Sequence, residues 1–214
     1  MKNSRTILLS GASLIALVTA ACGSDDSDAP ATVETAPTSV EASPTGSSTP
    51  PGVAGNPFRV PGGASGDDNA FTYDEAAVPV GSVLDIESEE EDGRTTISLN
   101  ATGLAPSRDY GVHVHTKRCG SEPADSGPHY QNSIDPAATP ETPSSDPAFA
   151  NALNEVWLDI TTDANGKAQA STTVAWEFRD DEANSVVVHA KHTMTAPGEA
   201  GMAGDRLACI DEDF

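Results

Sequence analysis

Apolar and polar residues alternate with a period of two through much of the second two-thirds of the chain. Alternating or β-branched runs at 76–86, 95–99, 110–115, 156–161, 169–176, 186–189 and 206–210 predict strands, because successive strand side chains point to opposite faces. Turn residues separate them: Glu91-Asp92-Gly93, Ala105-Pro106-Ser107, and Asp163-Ala164-Asn165-Gly166, whose Asn-Gly pair favours a tight hairpin. No helical pattern of three or four turns occurs. Short strands joined by turns predict an all-β sandwich or small barrel, with Trp157 and Trp176 as packing residues. The interval 120–150 differs, being long, Pro-rich and nearly free of strand signal. Long loops inside compact domains usually carry function.

The first 70 residues follow another pattern. Lys2 and Arg5 precede a largely apolar run, 7–21, that ends in small residues, so 1–21 reads as an export signal. That run is shorter than the roughly 20 residues a bilayer span needs. Leu17-Val18-Thr19-Ala20-Ala21-Cys22-Gly23 resembles a bacterial lipobox, in which the Cys is lipidated and becomes the mature N-terminus. The alternative is an ordinary secretory cut near Ala21. From 22 to 70, Ala, Pro, Thr, Ser, Gly and Asp dominate and Phe58 is the only aromatic residue; such a stretch buries too little apolar surface to offset its ordering entropy and reads as a disordered linker. Asn56-Pro57-Phe58-Arg59-Val60 is the place where it would dock. The folded domain is then 71–214. The protein is expected outside the cell membrane, tethered by lipid at Cys22 to the outer face of the bacterial cytoplasmic membrane, with no other membrane contact.

Charge narrows the partners. Lys and Arg number 11 against 33 Asp and Glu, a formal net charge of −22, and the folded domain alone holds 26 acidic and 8 basic residues. A phosphate backbone is gripped by clustered cations, so nucleic acid is excluded as a partner, and an anionic lipid surface repels the chain.

The candidate chemistry lies in five histidines, His113, His115, His129, His189 and His192. In Gly111-Val112-His113-Val114-His115 two imidazoles one residue apart share a strand face and can converge on one ion. Alone, such a pair is more often two polar residues on a solvated edge. His129 in the following loop and His189 ending the apolar run Val186-Val187-Val188 turn the balance toward a metal site, and imidazole suits copper, zinc, nickel or iron. Two cysteines remain besides Cys22. In an oxidising compartment Cys119 and Cys209 form either a bridge, closing about 90 residues and contributing a few kcal/mol, or two thiol ligands. His192, Met194 and Met202 could help capture Cu(I), or be ordinary loop residues.

Together the motifs resemble those of copper/zinc superoxide dismutases over most of 71–214. They are Thr102-Gly103-Leu104-Ala105-Pro106, Gly111-Val112-His113-Val114-His115, Cys119, Ser126-Gly127-Pro128-His129-Tyr130, Val187-Val188-His189 and Gly204-Asp205-Arg206-Leu207-Ala208-Cys209, in that order. The resemblance implies an eight-stranded Greek-key β-barrel with long functional loops, and copper held outside it by His113, His115, His129 and His189. It makes Cys119–Cys209 the family's disulfide and Arg206 the residue that guides and holds the anion. The implied reaction is copper-dependent dismutation of superoxide: one superoxide leaves as dioxygen, and a second, with two protons, leaves as hydrogen peroxide. His129 matches the residue that bridges to zinc and takes up a proton.

The departures are informative. No histidine lies between His129 and His189, and Ala148 and Asn151 fall near positions where the family places zinc ligands. Four histidines for copper leave only His192, too few for a second imidazole-rich site. The chain therefore resembles the copper-only members, and zinc is expected to be absent. Ile210-Asp211-Glu212-Asp213-Phe214 lacks the usual apolar tail, which favours a monomer. Lys117, Arg118 and Lys191 are candidates for a local positive patch in a strongly anionic domain. Rival readings are a copper-binding or copper-buffering lipoprotein with little turnover, a zinc hydratase or hydrolase, and a metal-free barrel.

Overall fold

The computed structural model describes residues 55–62, 69–139 and 141–214. The expected export signal, Cys22 and most of the expected linker lie outside them. Among the described residues there are eight strands: β1 (Ala70–Thr72), β2 (Val83–Glu91), β3 (Arg94–Thr102), β4 (Asp109–His115), β5 (Ile160–Thr161), β6 (Ala168–Val174), β7 (Ser185–His189) and β8 (Arg206–Asp211). One turn of 3-10 helix, Pro123–Ser126, sits between β4 and β5. All strand pairs are antiparallel, in sheets ordered β1-β8-β7-β4-β5 and β2-β3-β6. The chain crosses from one sheet to the other after β1, β3, β5 and β6, as in a Greek-key barrel.

Alternation builds the core. Thr95, Ile97, Leu99 and Ala101 of β3 point inward while Thr96, Ser98 and Asn100 lie nearer solvent. They meet Tyr110, Val112 and Val114 of β4 and Val186 and Val188 of β7 from the other sheet. β2 and β3 join through Asp92-Gly93, both at positive φ, in the conformation that two-residue hairpins favour.

Boundaries differ from the sequence reading where local chemistry overrides periodicity. The run 76–86 splits: Asp74 caps the backbone N–H groups of Ala76 and Ala77, and Pro79 cannot donate to a ladder, so β2 begins at Val83 and continues through its acidic residues along a solvated face. In 156–161 only β5 is regular, although Trp157 still bridges His113 and the Leu158 N–H still donates to the Val112 carbonyl. The short strand β1 carries too few residues to show a period. At the front, Pro57 bridges Val83, Arg59 bridges Phe71 and Phe58 is 1% exposed, so Asn56–Val60 docks and the compact part reaches back past residue 71.

β4 and β7 are buried on both faces. One face meets the core; loops cover the other. The long loop after β4 doubles back along that strand, with Thr116 N–H on the Pro128 carbonyl and Tyr130 N–H on the Val114 carbonyl. A disulfide joins Cys119 at the loop's start to Cys209 of β8. The loop 190–205 presses from the other side: a Cβ on Gly111 would lie 2.7 Å from the Ala203 Cβ and from the Lys191 carbonyl oxygen, so only glycine fits beside it.

Candidate metal centre

The outer face of β4 carries His113 and His115, one residue apart and both 0% exposed. His189 ends β7, where a register shift between Val188 and His189 re-aims the side chain. His129 arrives from the long loop, in a bridge opposite His115. These four form the one group among the described residues in which three or more metal-ligating side chains converge, with ligand atoms all within 4.8 Å of one another. Ring centroids of His113 and His129 lie 4.2 Å apart, and His115 Nε2 lies 3.3 Å from His189 Nε2.

Each ring is held by its other nitrogen. His115 Nδ1 donates to the Gly127 carbonyl at 2.9 Å, and Gly127 reaches that position at φ +71°. His189 Nδ1 donates to the Gly204 carbonyl at 3.3 Å. His129 Nδ1 donates to Glu155 Oε2 at 2.9 Å. Thr193 Oγ1 gives its own proton to Asp159 at 2.6 Å and so accepts from His113 Nε2 at 2.7 Å. The partners therefore fix the tautomers: His113 Nδ1 and the Nε2 atoms of the other three are left as bare acceptors. His113 Nδ1 is buried with no hydrogen-bond partner, a costly state for a polar atom unless a cation takes its lone pair. Burial, with the neighbouring imidazoles adding to it, pushes His113 and His115 well below the ordinary imidazole range and His189 down to about 3. Four neutral nitrogen donors at this spacing fit a borderline-soft ion such as copper.

Glu155, like Thr193 and Asp159, is a residue that sequence reasoning missed. It is 2% exposed, and its carboxylate accepts from His129, from Gln131 Nε2 at 2.8 Å and from Trp157 Nε1 at 2.8 Å. A lone acidic residue ahead of a strand gives no periodic signal; its burial depends on where the loop falls. Trp157 thereby holds the site as well as packing, whereas Trp176 packs on Tyr130 and Phe178.

A cavity of about 510 Å³ opens beside the cluster, with His129, His189 and Arg206 on its wall. Arg206 Nη1 donates to the Pro123 carbonyl at 3.0 Å and to Ser126 Oγ at 2.9 Å, and no carboxylate pairs with it among the described residues. Burial draws its pKa down, with Tyr73 opposing. The positive patch expected from Lys117, Arg118 and Lys191 does not form on this wall: none of them lines the cavity, and Arg118 pairs instead with Asp213. Arg179 lines it but is tied to Glu182. His192 stands apart from the cluster, bonded to the Ile160 carbonyl at 3.0 Å.

No curated protein sequence gives a significant match to the chain. Among solved structures it is similar to the Cu/Zn superoxide dismutase from Brucella abortus, with 19% identity and a TM-score of 0.43, over 68% of this chain and 99% of that one. It is also similar to a double mutant of a SOD-like protein from Bacillus subtilis, with 17% identity and a TM-score of 0.40, over 60% of this chain and 86% of that one. The family model for copper/zinc superoxide dismutase matches residues 80–210. That span runs from before β2 almost to the end of β8 and takes in all four clustered histidines and the disulfide, so this chain belongs to the copper/zinc superoxide dismutase family.

Proposed function

We propose that the protein is a copper-only superoxide dismutase that works outside the cytoplasmic membrane, anchored by lipid at Cys22. The observation that carries this reading is the sorting of the four imidazoles, each with one nitrogen held by protein and the other turned to a common centre, beside a cavity walled by Arg206. His113, His115, His129 and His189 would hold copper, which supplies a one-electron couple when bound.

The protein's residues do the rest. Arg206, held on one side by Pro123 and Ser126, turns its remaining N–H groups and its charge to an anion in the cavity. Glu155 keeps the Nδ1 proton on His129 and so leaves its Nε2 as the bare nitrogen turned to the common centre. Support for the copper-only reading is that same bond: with Nδ1 committed to Glu155, itself held by Gln131 and Trp157, His129 has no nitrogen left to bridge to a second ion. Support for a monomer is the C-terminus, which folds onto its own barrel, Phe214 against Phe178 at 4.7 Å and Asp213 on Arg118.

Metal analysis and electron paramagnetic resonance test the site. Protein supplied with both metals should hold one copper and no stoichiometric zinc, with a nitrogen-rich spectrum that His113→Ala alters. One zinc per copper would overturn the copper-only reading. Arg206→Ala should leave copper content unchanged and slow superoxide consumption by about tenfold, about 1.4 kcal/mol in the barrier. The strong negative charge favours a second reading, a copper-buffering protein without turnover, which predicts no such effect.

A further inference from the structure

The chain has three methionines. Met1 lies outside the described residues; Met194 and Met202 both line the cavity that also exposes His129 and His189. Neither belongs to the apolar core: Met194 is half-buried and Met202 is 47% exposed. They are therefore not filling a packing gap, the usual work of methionine.

The backbone brings them together. Met194 N–H donates to the Met202 carbonyl at 2.8 Å and Gly201 N–H to the Met194 carbonyl at 2.9 Å, so the loop folds back with the two methionines paired across it. Each is joined to the metal cluster by its neighbour in sequence. Thr193 holds the His113 ring, and Gly201 lies against Glu155 and His129. Thioether sulfur is soft and selects Cu(I) over harder ions. Cys119 and Cys209 are consumed in their bridge, so these two sulfurs are the free soft donors among the described residues.

We propose that Met194 and Met202 form a Cu(I)-capture site at the cavity mouth, which binds the reduced ion first and passes it inward to the four imidazoles. The proposal rests on the copper reading above. The outer pair is half-exposed and offers two neutral sulfurs, so it exchanges readily; the inner cluster is buried and offers four nitrogens, so it retains. His129, with its side chain 17% exposed, is the most accessible of the four and receives the ion. No electron moves in the transfer: Cu(I) leaves sulfur and gains nitrogen in the same oxidation state.

The test compares the wild type with Met194→Leu/Met202→Leu, a change that keeps apolar volume and removes sulfur. Metal-free protein is mixed anaerobically with Cu(I) held by a chromophoric chelator, and loss of the chelate's absorbance gives the uptake rate. The double variant should reach the same final copper content severalfold more slowly, while its uptake of Cu(II) proceeds at the wild-type rate. In the wild type, substoichiometric Ag(I), a redox-inert soft probe, should shift the methyl resonances of both methionines. Equal Cu(I) uptake by the two proteins would overturn the capture site, and so would equal slowing for Cu(I) and Cu(II), which marks a steric effect. A wild type that takes up no copper would overturn the copper reading itself, a result distinct from both.

Discussion

Ring nitrogens decide this site more than ring positions do. The residue types were legible in the sequence: His-x-His on a strand must share a face, and His129 and His189 followed from motif order. Glu155, Thr193 and Asp159 were not, because each acts through a contact made across 26 to 80 residues of chain. Yet they set the tautomers. Thr193→Val removes the acceptor of the His113 Nε2–H, and copper affinity should fall by about 10- to 100-fold with the fold intact, as measured by competition with a chelator. Protonation gives a second expectation. Burial holds His113, His115 and His189 neutral in the folded protein, with His189 near 3, whereas the unfolded chain takes up protons at about the ordinary value of 6.5. The unfolded state therefore binds more protons below pH 6.5. Stability of the metal-free protein should be full above that value and fall steadily as pH drops toward 3, read as a falling Tm. Copper should move the fall to lower pH.

Among the elements, two loops make a binding site of what is otherwise the outer face of a sheet. The long loop delivers His129 and the carbonyl that holds His115; the loop 190–205 delivers Thr193, the His189 partner and both methionines. The sequence marked the first loop by its length and prolines, but a strand pattern says nothing about where a loop lies, so its return along β4 could not be read. The strand expected at 156–161 shortened to β5, and β1 was unseen because three residues are too few to show a period. Close packing makes the second loop sensitive. Gly111→Ala would set a methyl group against the Ala203 Cβ and the Lys191 carbonyl, and should cost about 1–3 kcal/mol by Tm while displacing the loop and weakening copper retention. Breaking the disulfide with Cys119→Ser/Cys209→Ser should cost about 2–5 kcal/mol and loosen the turn that holds Arg206.

For the whole molecule the difficulty is electrostatic. A protein of net charge −22 must draw an anion to a metal, and of the cations that the sequence offered for this Arg118 is paired with Asp213 while Lys117 and Lys191 do not line the cavity. What remains on the cavity wall is Arg206, without a carboxylate partner among the described residues. Attraction must therefore be short-ranged, and added salt, which screens the distant negative charges more than a contact inside the cavity, should raise the rate of superoxide capture or leave it level rather than depress it. Pulse radiolysis of the copper-loaded protein tests the central claim most directly. A copper-dependent dismutase should remove repeated pulses of superoxide without loss, at a rate proportional to protein concentration and approaching about 10⁸–10⁹ M⁻¹ s⁻¹. Decay no faster than with the metal-free protein would contradict it.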